Sequence, residues 1–206
     1  MKINIVDKSE SEEIEPHPDL ILYFQETQKF NQKLPDNFVD SSEHHNIVSN
    51  IEQNIFLLKR IEDKGLLPNK ISMIDCGVGL GFALYDFYLQ SLEFDNEFIF
   101  TGIEKQKIYT DFIKENLMNL WNKELILIED DIMNIDYKNY NIIYSYTPYR
   151  SKNQLVDFYQ KISNEVKSGS IIIENATSGW GHFDILKNID NIEPIEIDDI
   201  VIFIKK

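Results

Sequence analysis

A short apolar run, Ile71-Ser72-Met73-Ile74, leads through Asp75-Cys76 into Gly77-Val78-Gly79-Leu80-Gly81, and an apolar stretch opens at Phe82. Three glycines at alternate positions between a strand and a helix have a physical reason. The chain must turn sharply at the strand's carboxyl end and let a ligand approach the backbone more closely than a Cβ would permit. The helix that follows presents unpaired N–H groups, which favour an anionic ligand group. Spacing then separates the candidates: a dinucleotide fingerprint, Gly-x-Gly-x-x-Gly, would need its last glycine at the position of Phe82. What stands here is Asp-x-Gly-x-Gly-x-Gly.

The surrounding texture agrees with an α/β chain. From Lys70 onward, β-branched runs alternate with helical stretches, the signature of βαβ units and a mainly parallel sheet. Strands are predicted at Ile71–Asp75, Glu97–Glu104, Leu125–Ile128, Tyr140–Ser145 and Ser170–Glu174, with helices at Phe82–Leu92, Lys107–Trp121 and Gln154–Val166. Ile192–Ile197 and Ile200–Lys205 are separated only by Asp198-Asp199, so these two strands must be antiparallel neighbours. Residues 1–69 read instead as a helical N-terminal extension, set apart from a sheet domain over 70–206. Pro18–Lys33 places Leu20, Ile21, Phe24 and Phe30 near one helical face. Ser42 is the expected N-cap of a second helix carrying Ile47, Val48, Ile51, Ile55, Leu58 and Ile61, ended by Gly65 and Pro68.

Composition limits the partners. The 206 residues carry 20 Lys plus Arg against 35 Asp plus Glu, a formal charge of −15, and no basic run offsets it. Phosphate backbones and anionic lipids are therefore disfavoured. The longest apolar runs are too short to span a bilayer. Cys76, the one cysteine, rules out an intramolecular disulfide and a cysteine-rich zinc site. It fits a reducing compartment, so the cytoplasm is the expected location. The acidic start of the chain lacks the basic and apolar regions of a secretory signal. Adjacent His44 and His45 point in different directions on a helix, and no metal site is expected.

With its glycine loop, its acid-ended second strand and two further motifs in order, the chain resembles the class I S-adenosylmethionine-dependent methyltransferases. The resemblance spans about residues 70–205. It implies a three-layer α/β/α Rossmann-like fold with a mainly parallel sheet ending in an antiparallel hairpin, and S-adenosylmethionine as cofactor. By it, Gly77, Gly79 and Gly81 wrap the methionine part, and Asp75 holds the loop and the cofactor's amino group. Glu104, ending Phe98-Ile99-Phe100-Thr101-Gly102-Ile103-Glu104 about 20 residues beyond the loop, accepts from the ribose hydroxyls. In Leu125-Ile126-Leu127-Ile128-Glu129-Asp130-Asp131-Ile132, Asp131 receives the adenine amine and Ile132 packs near the ring. Asp130 stands where the family has glycine and remains the alternative acid.

Beyond the fourth strand the family's amino-methylating members carry Asp, Asn or Ser before Pro-Pro-Tyr. This chain has Tyr146-Thr147-Pro148-Tyr149, followed by Arg150. Tyr146, Pro148 and Tyr149 thereby become the expected acceptor-side residues. His182, in Ser178-Gly179-Trp180-Gly181-His182, is the candidate base or lid residue, while His44 and His45 are placed to cover the site. The implied activity is methyl transfer to a small molecule first or a basic protein second. An aminopropyltransferase and a non-catalytic S-adenosylmethionine- or nucleoside-binding protein are the alternatives.

Overall fold

A computed structural model describes residues 17–33, 56–121, 125–146, 148–149, 151–175, 182–197 and 200–206. Its core strands form where the sequence is β-branched and apolar on both faces, the composition a doubly covered parallel sheet requires. They are β1 (Lys70–Cys76), β2 (Glu97–Glu104), β3 (Leu125–Glu129), β4 (Ile142–Ser145), β5 (Ile171–Glu174), β6 (Ile192–Ile197) and β7 (Ile200–Lys205). The seven lie in one sheet of order β3-β2-β1-β4-β5-β7-β6. β1 to β5 run parallel, and β7 enters antiparallel between β5 and β6. The predicted hairpin therefore forms, and Pro194 sits on edge strand β6, where a missing N–H costs no interior bond.

Alternation along each strand divides the core into two faces. Ile71 and Met73 of β1, Phe98 and Phe100 of β2 and Tyr144 of β4 join one cluster; Ile74, Cys76, Ile103 and Ile143 join the other. The first face is covered by α1 (Pro18–Asn31), α2 (Leu57–Asp63), α3 (Phe82–Ser91) and α4 (Lys107–Asn116). The second is covered by α5 (Lys152–Glu165) and α6 (His182–Lys187). This is the three-layer arrangement expected from the sequence.

The N-terminal helices differ from the sequence reading in instructive ways. α1 begins with His17 as N-cap, whose Nδ1 accepts from Asp19 N–H at 3.2 Å, and with Pro18 in the first turn. Its buried face is centred on Leu20, Tyr23 and Thr27, with Ile21 to the side. Tyr23 and Thr27 carry hydroxyls, which a count of apolar positions does not register. The expected continuous helix from Ser42 to Ile61 is interrupted: Phe56 has φ of 56°, a left-handed value, and α2 starts only at Leu57. The proposed cap Ser42 lies outside the described residues. An N–H in the first turn, that of Leu58, instead finds Gln90 Oε1 of α3 at 3.2 Å. Further on, α4 ends at Asn116 and a 3₁₀ turn over Met118–Leu120 replaces the last part of the expected helix. α6 forms where the sequence predicts a loop.

Two glycines with left-handed backbone separate strain from crowding. A Cβ on Gly65 (φ +68°) meets nothing within 4 Å, whereas one on Gly81 (φ +79°) would lie 2.9 Å from Leu117 Cδ2 and 3.3 Å from Ile113 Cγ1, both fully buried. Gly65→Ala should cost about 1–2 kcal/mol from backbone strain alone. Gly81→Ala should cost at least about 1 kcal/mol more through overpacking, as urea unfolding of the two variants would measure. Equal losses would contradict the close approach at Gly81.

Candidate functional site

The site is assembled at the carboxyl edge of the sheet, where β1 lies between β2 and β4 and the chain's winding reverses direction, the place where open α/β sheets bind ligands. The loop after β1 is held by β2. Gly77 N–H and Val78 N–H both donate to the Ile103 carbonyl, at 3.0 and 2.8 Å, and Gly79 N–H donates to Glu104 Oε2 at 3.0 Å. Gly77, Gly79 and Gly81 all have positive φ, at 80°, 54° and 79°, so the loop's course depends on glycine at each position. Gly81 then leads into α3, with Tyr85 N–H closing on its carbonyl at 2.9 Å. Gly102 of β2 also contributes: a Cβ there would stand 3.1 Å from Leu84 and 3.2 Å from Val78, so its bareness lets the loop and α3 settle onto the sheet.

Two carboxyl groups stand at the strand ends beside this loop. Asp75, 3% exposed at the end of β1, is pushed up to about 8, first by burial and second by the negative Glu104 nearby. Glu104 is buried at the end of β2, and its Oε1 also accepts from Gln106 N–H at 2.8 Å. A buried neutral acid beside an anchored carboxylate suits a ligand that brings a cation or hydroxyl donors.

Asp131 caps the 3₁₀ turn Ile132–Asn134. Its Oδ1 accepts from Met133 N–H and from the Tyr149 hydroxyl, each at 2.9 Å, and Lys105 Nζ lies 3.7 Å from its Oδ2. Asp130 is exposed; its Oδ1 accepts from Asn134 at 2.8 Å and from Asp131 N–H at 2.7 Å, which hold its carboxyl below the usual range. Ile132 is buried in the second cluster beside Ile103 and Cys76. Pro148 comes to 3.9 Å from where a Gly77 Cβ would be, so the segment after β4 lies against the glycine loop. Tyr149 packs edge-on against Phe158 of α5 while its hydroxyl reaches Asp131. It thereby joins the segment after β4 to the one after β3. Tyr146 is half-buried against the first cluster, and its hydroxyl is raised by burial and then by Glu174. His182 is the first residue of α6. Thr147, Arg150, His44, His45 and residues 176–181 lie outside the described residues.

The sequence reading missed Glu174. It ends β5, 2% exposed, and its Oε2 accepts from the hydroxyls of Ser145 and Tyr159. Asn175, next along, donates from its backbone to the Ser145 carbonyl at 3.0 Å and from its side chain to the Tyr144 hydroxyl at 3.1 Å. The signal was available: Ile171-Ile172-Ile173-Glu174 is the same apolar run ending in an acid that singled out Glu104. Among the described residues no group of three or more His, Cys, Asp or Glu could hold a metal ion. Among them, too, no helix is long and apolar enough to cross a membrane.

No protein-family model matches the sequence, and no curated protein does either. Solved structures do. A provisionally named class I S-adenosylmethionine-dependent methyltransferase from Listeria monocytogenes superposes with a TM-score of 0.65 at 12% identity, over 93% of this chain and 70% of that one. A protein provisionally named a caffeoyl-CoA O-methyltransferase from Staphylococcus aureus gives 0.59 at 16% identity, over 92% and 93%. An rRNA methylase from Streptococcus thermophilus gives 0.54 at 12%, over 76% and 99%. At such identities the likeness is one of fold, and the fold is that of the class I methyltransferases.

The buried acids make stability depend on pH in a defined direction. Asp75 binds its proton more tightly folded than unfolded, so between about pH 4 and 8 the unfolded chain binds fewer protons and stability falls as pH rises. Asp86 of α3, buried and raised to about 7 chiefly by burial, acts in the same sense over about pH 4 to 7. Urea unfolding between pH 5 and 8 should therefore show a shallower decline for Asp75→Asn and Asp86→Asn than for the unmodified chain. Parallel curves would contradict the burial that raises both acids.

Proposed function

We propose that this chain binds S-adenosylmethionine and transfers its methyl group to an acceptor held beside β4 and β5. The observation that carries the reading is the anchoring of the glycine loop onto Glu104 at the sheet's reversal point. In this reading Gly77, Gly79 and Gly81 cradle the methionine part of the cofactor. Asp75 meets its ammonium group, and Glu104 takes the ribose hydroxyls. Asp131 accepts from the adenine amine, and Ile132 forms part of the floor beneath the ring. The fit rests on the donor set, because a ligand ammonium would ionise the buried Asp75 that is otherwise held protonated.

When bound, the cofactor would supply an activated methyl group on its sulfonium, open to direct displacement by the acceptor. The protein's part is then positioning and exclusion of water. Tyr146, Pro148 and Tyr149 shape the acceptor side, and His182 receives a proton where the acceptor must lose one. A small-molecule acceptor is favoured by the acidic surface, with a basic protein second, and the cytoplasm is the expected setting.

Isothermal titration with S-adenosylmethionine and S-adenosylhomocysteine should give micromolar binding, with at least a tenfold loss in Asp75→Ala and in Glu104→Ala and no binding of NAD. Binding of NAD in place of S-adenosylmethionine, or affinity unchanged in both variants, would overturn the reading. Release of S-adenosylhomocysteine with candidate acceptors distinguishes an enzyme from a non-catalytic binder. Turnover of decarboxylated S-adenosylmethionine to methylthioadenosine would indicate aminopropyl transfer instead.

A further inference from the structure

We infer that Tyr23 of α1 is a positioning residue of the cofactor loop, making the N-terminal helix a working part of the site. The Tyr23 hydroxyl donates to the Leu80 carbonyl at 2.5 Å across 57 residues of sequence. Leu80 stands between Gly79 and Gly81, whose positive φ values set the course of the loop. It is buried, and among the described residues no backbone N–H donates to its carbonyl. A buried carbonyl without a partner costs about 1–3 kcal/mol, so the loop holds this peptide orientation only while α1 is docked with its tyrosine in place.

The tyrosine is itself fixed. It is 3% exposed, its ring meets Tyr85 of α3 edge-on at 5.2 Å and Phe112 of α4 at 6.2 Å, and burial raises its hydroxyl so that it remains a donor. α1 thus holds the loop at a second point, beside the one held by Glu104. Glu104 fixes the N–H of Gly79, and Tyr23 fixes the carbonyl of the next residue. Backbone groups of two successive residues are set by two elements distant in sequence. Because coupling between sites is reciprocal, a ligand that needs this loop conformation also tightens the docking of α1.

This inference rests on the cofactor reading for its functional consequence and on the loop alone for its structural one, and the two are tested separately. Tyr23→Phe keeps the ring and removes the donor. Thr27→Val is the comparison, since Thr27 is buried one turn further along α1 and its hydroxyl, among the described residues, donates to the Phe24 carbonyl within the helix. S-adenosylhomocysteine affinity should fall about tenfold in Tyr23→Phe, the equivalent of about 1.4 kcal/mol, and stay within about twofold in Thr27→Val. In the ligand-free protein, hydrogen exchange over residues 77–82 should quicken in Tyr23→Phe and not in Thr27→Val. Bound S-adenosylhomocysteine should slow exchange along α1 in the unmodified chain more than in Tyr23→Phe. Equal affinity losses in the two variants, or unchanged loop exchange in Tyr23→Phe, would overturn the inference. If the unmodified chain binds neither cofactor form, the functional consequence falls with the cofactor reading, and the loop exchange still decides whether Tyr23 holds the loop.

Discussion

The parallel pairing of β1 with β2, carried one step past the strands' ends, is the constraint on which the site depends. Asp75 lies opposite Gly102 and Cys76 opposite Ile103. The chain then leaves the ladder but keeps bonding to the same neighbour, through two N–H groups on Ile103 and a third on the Glu104 side chain. Positive φ at successive glycines allows the backbone to turn while making those bonds, and the missing side chain at Gly102 admits Val78 and Leu84 onto the sheet. Unpaired, the N–H groups of so sheltered a loop would carry a large desolvation penalty. The bonds therefore fix the loop's shape before any ligand arrives, and preorganisation of this kind lowers the cost of binding.

Electrostatics at the sheet's carboxyl edge follow from how each acid is satisfied. Glu104 is stabilised by two backbone N–H groups, and Glu174 by two hydroxyls. Asp75 lies close to Glu104 in a buried setting and takes up its proton. Of the four buried acids among the described residues, Asp75, Glu104 and Glu174 stand at this edge, and Asp86 lies on α3. Tyr149, bonded to Asp131 and packed on Phe158, ties the β3 end of this edge to the segment that follows β4. Pro148 ties that segment to the glycine loop.

Much of this architecture was legible because parallel strands buried on both faces must be almost wholly apolar. Residues such as Phe98 to Glu104 and Ile171 to Glu174 can hardly do anything else. The antiparallel hairpin followed from a two-residue connection and so needed no knowledge of packing. Where the reading fell short, the decisive interaction was distant in sequence. Phe56 interrupts a periodic apolar pattern through its backbone, and Leu58 finds its cap in Gln90, 32 residues away. Tyr23 and Thr27 went unnoticed because a hydroxyl-bearing residue adds little to an apolar stripe, even when its body is fully packed. α6 spans only six residues, fewer than two turns, and periodicity is silent at that length. The candidate site was legible as motifs but not as a network: no spacing rule links Tyr149 to Asp131 or Ser145 to Glu174.

The central claim is that the loop from Gly77 to Gly81, anchored on β2, is the binding place of S-adenosylmethionine. A crystal structure of the protein with S-adenosylhomocysteine tests it most directly. The account predicts the ribose hydroxyls within hydrogen-bonding distance of Glu104, the amino group near Asp75 and the adenine beside Asp131 and Ile132. A ligand bound away from the glycine loop, with Glu104 and Asp75 in contact only with protein, would contradict it.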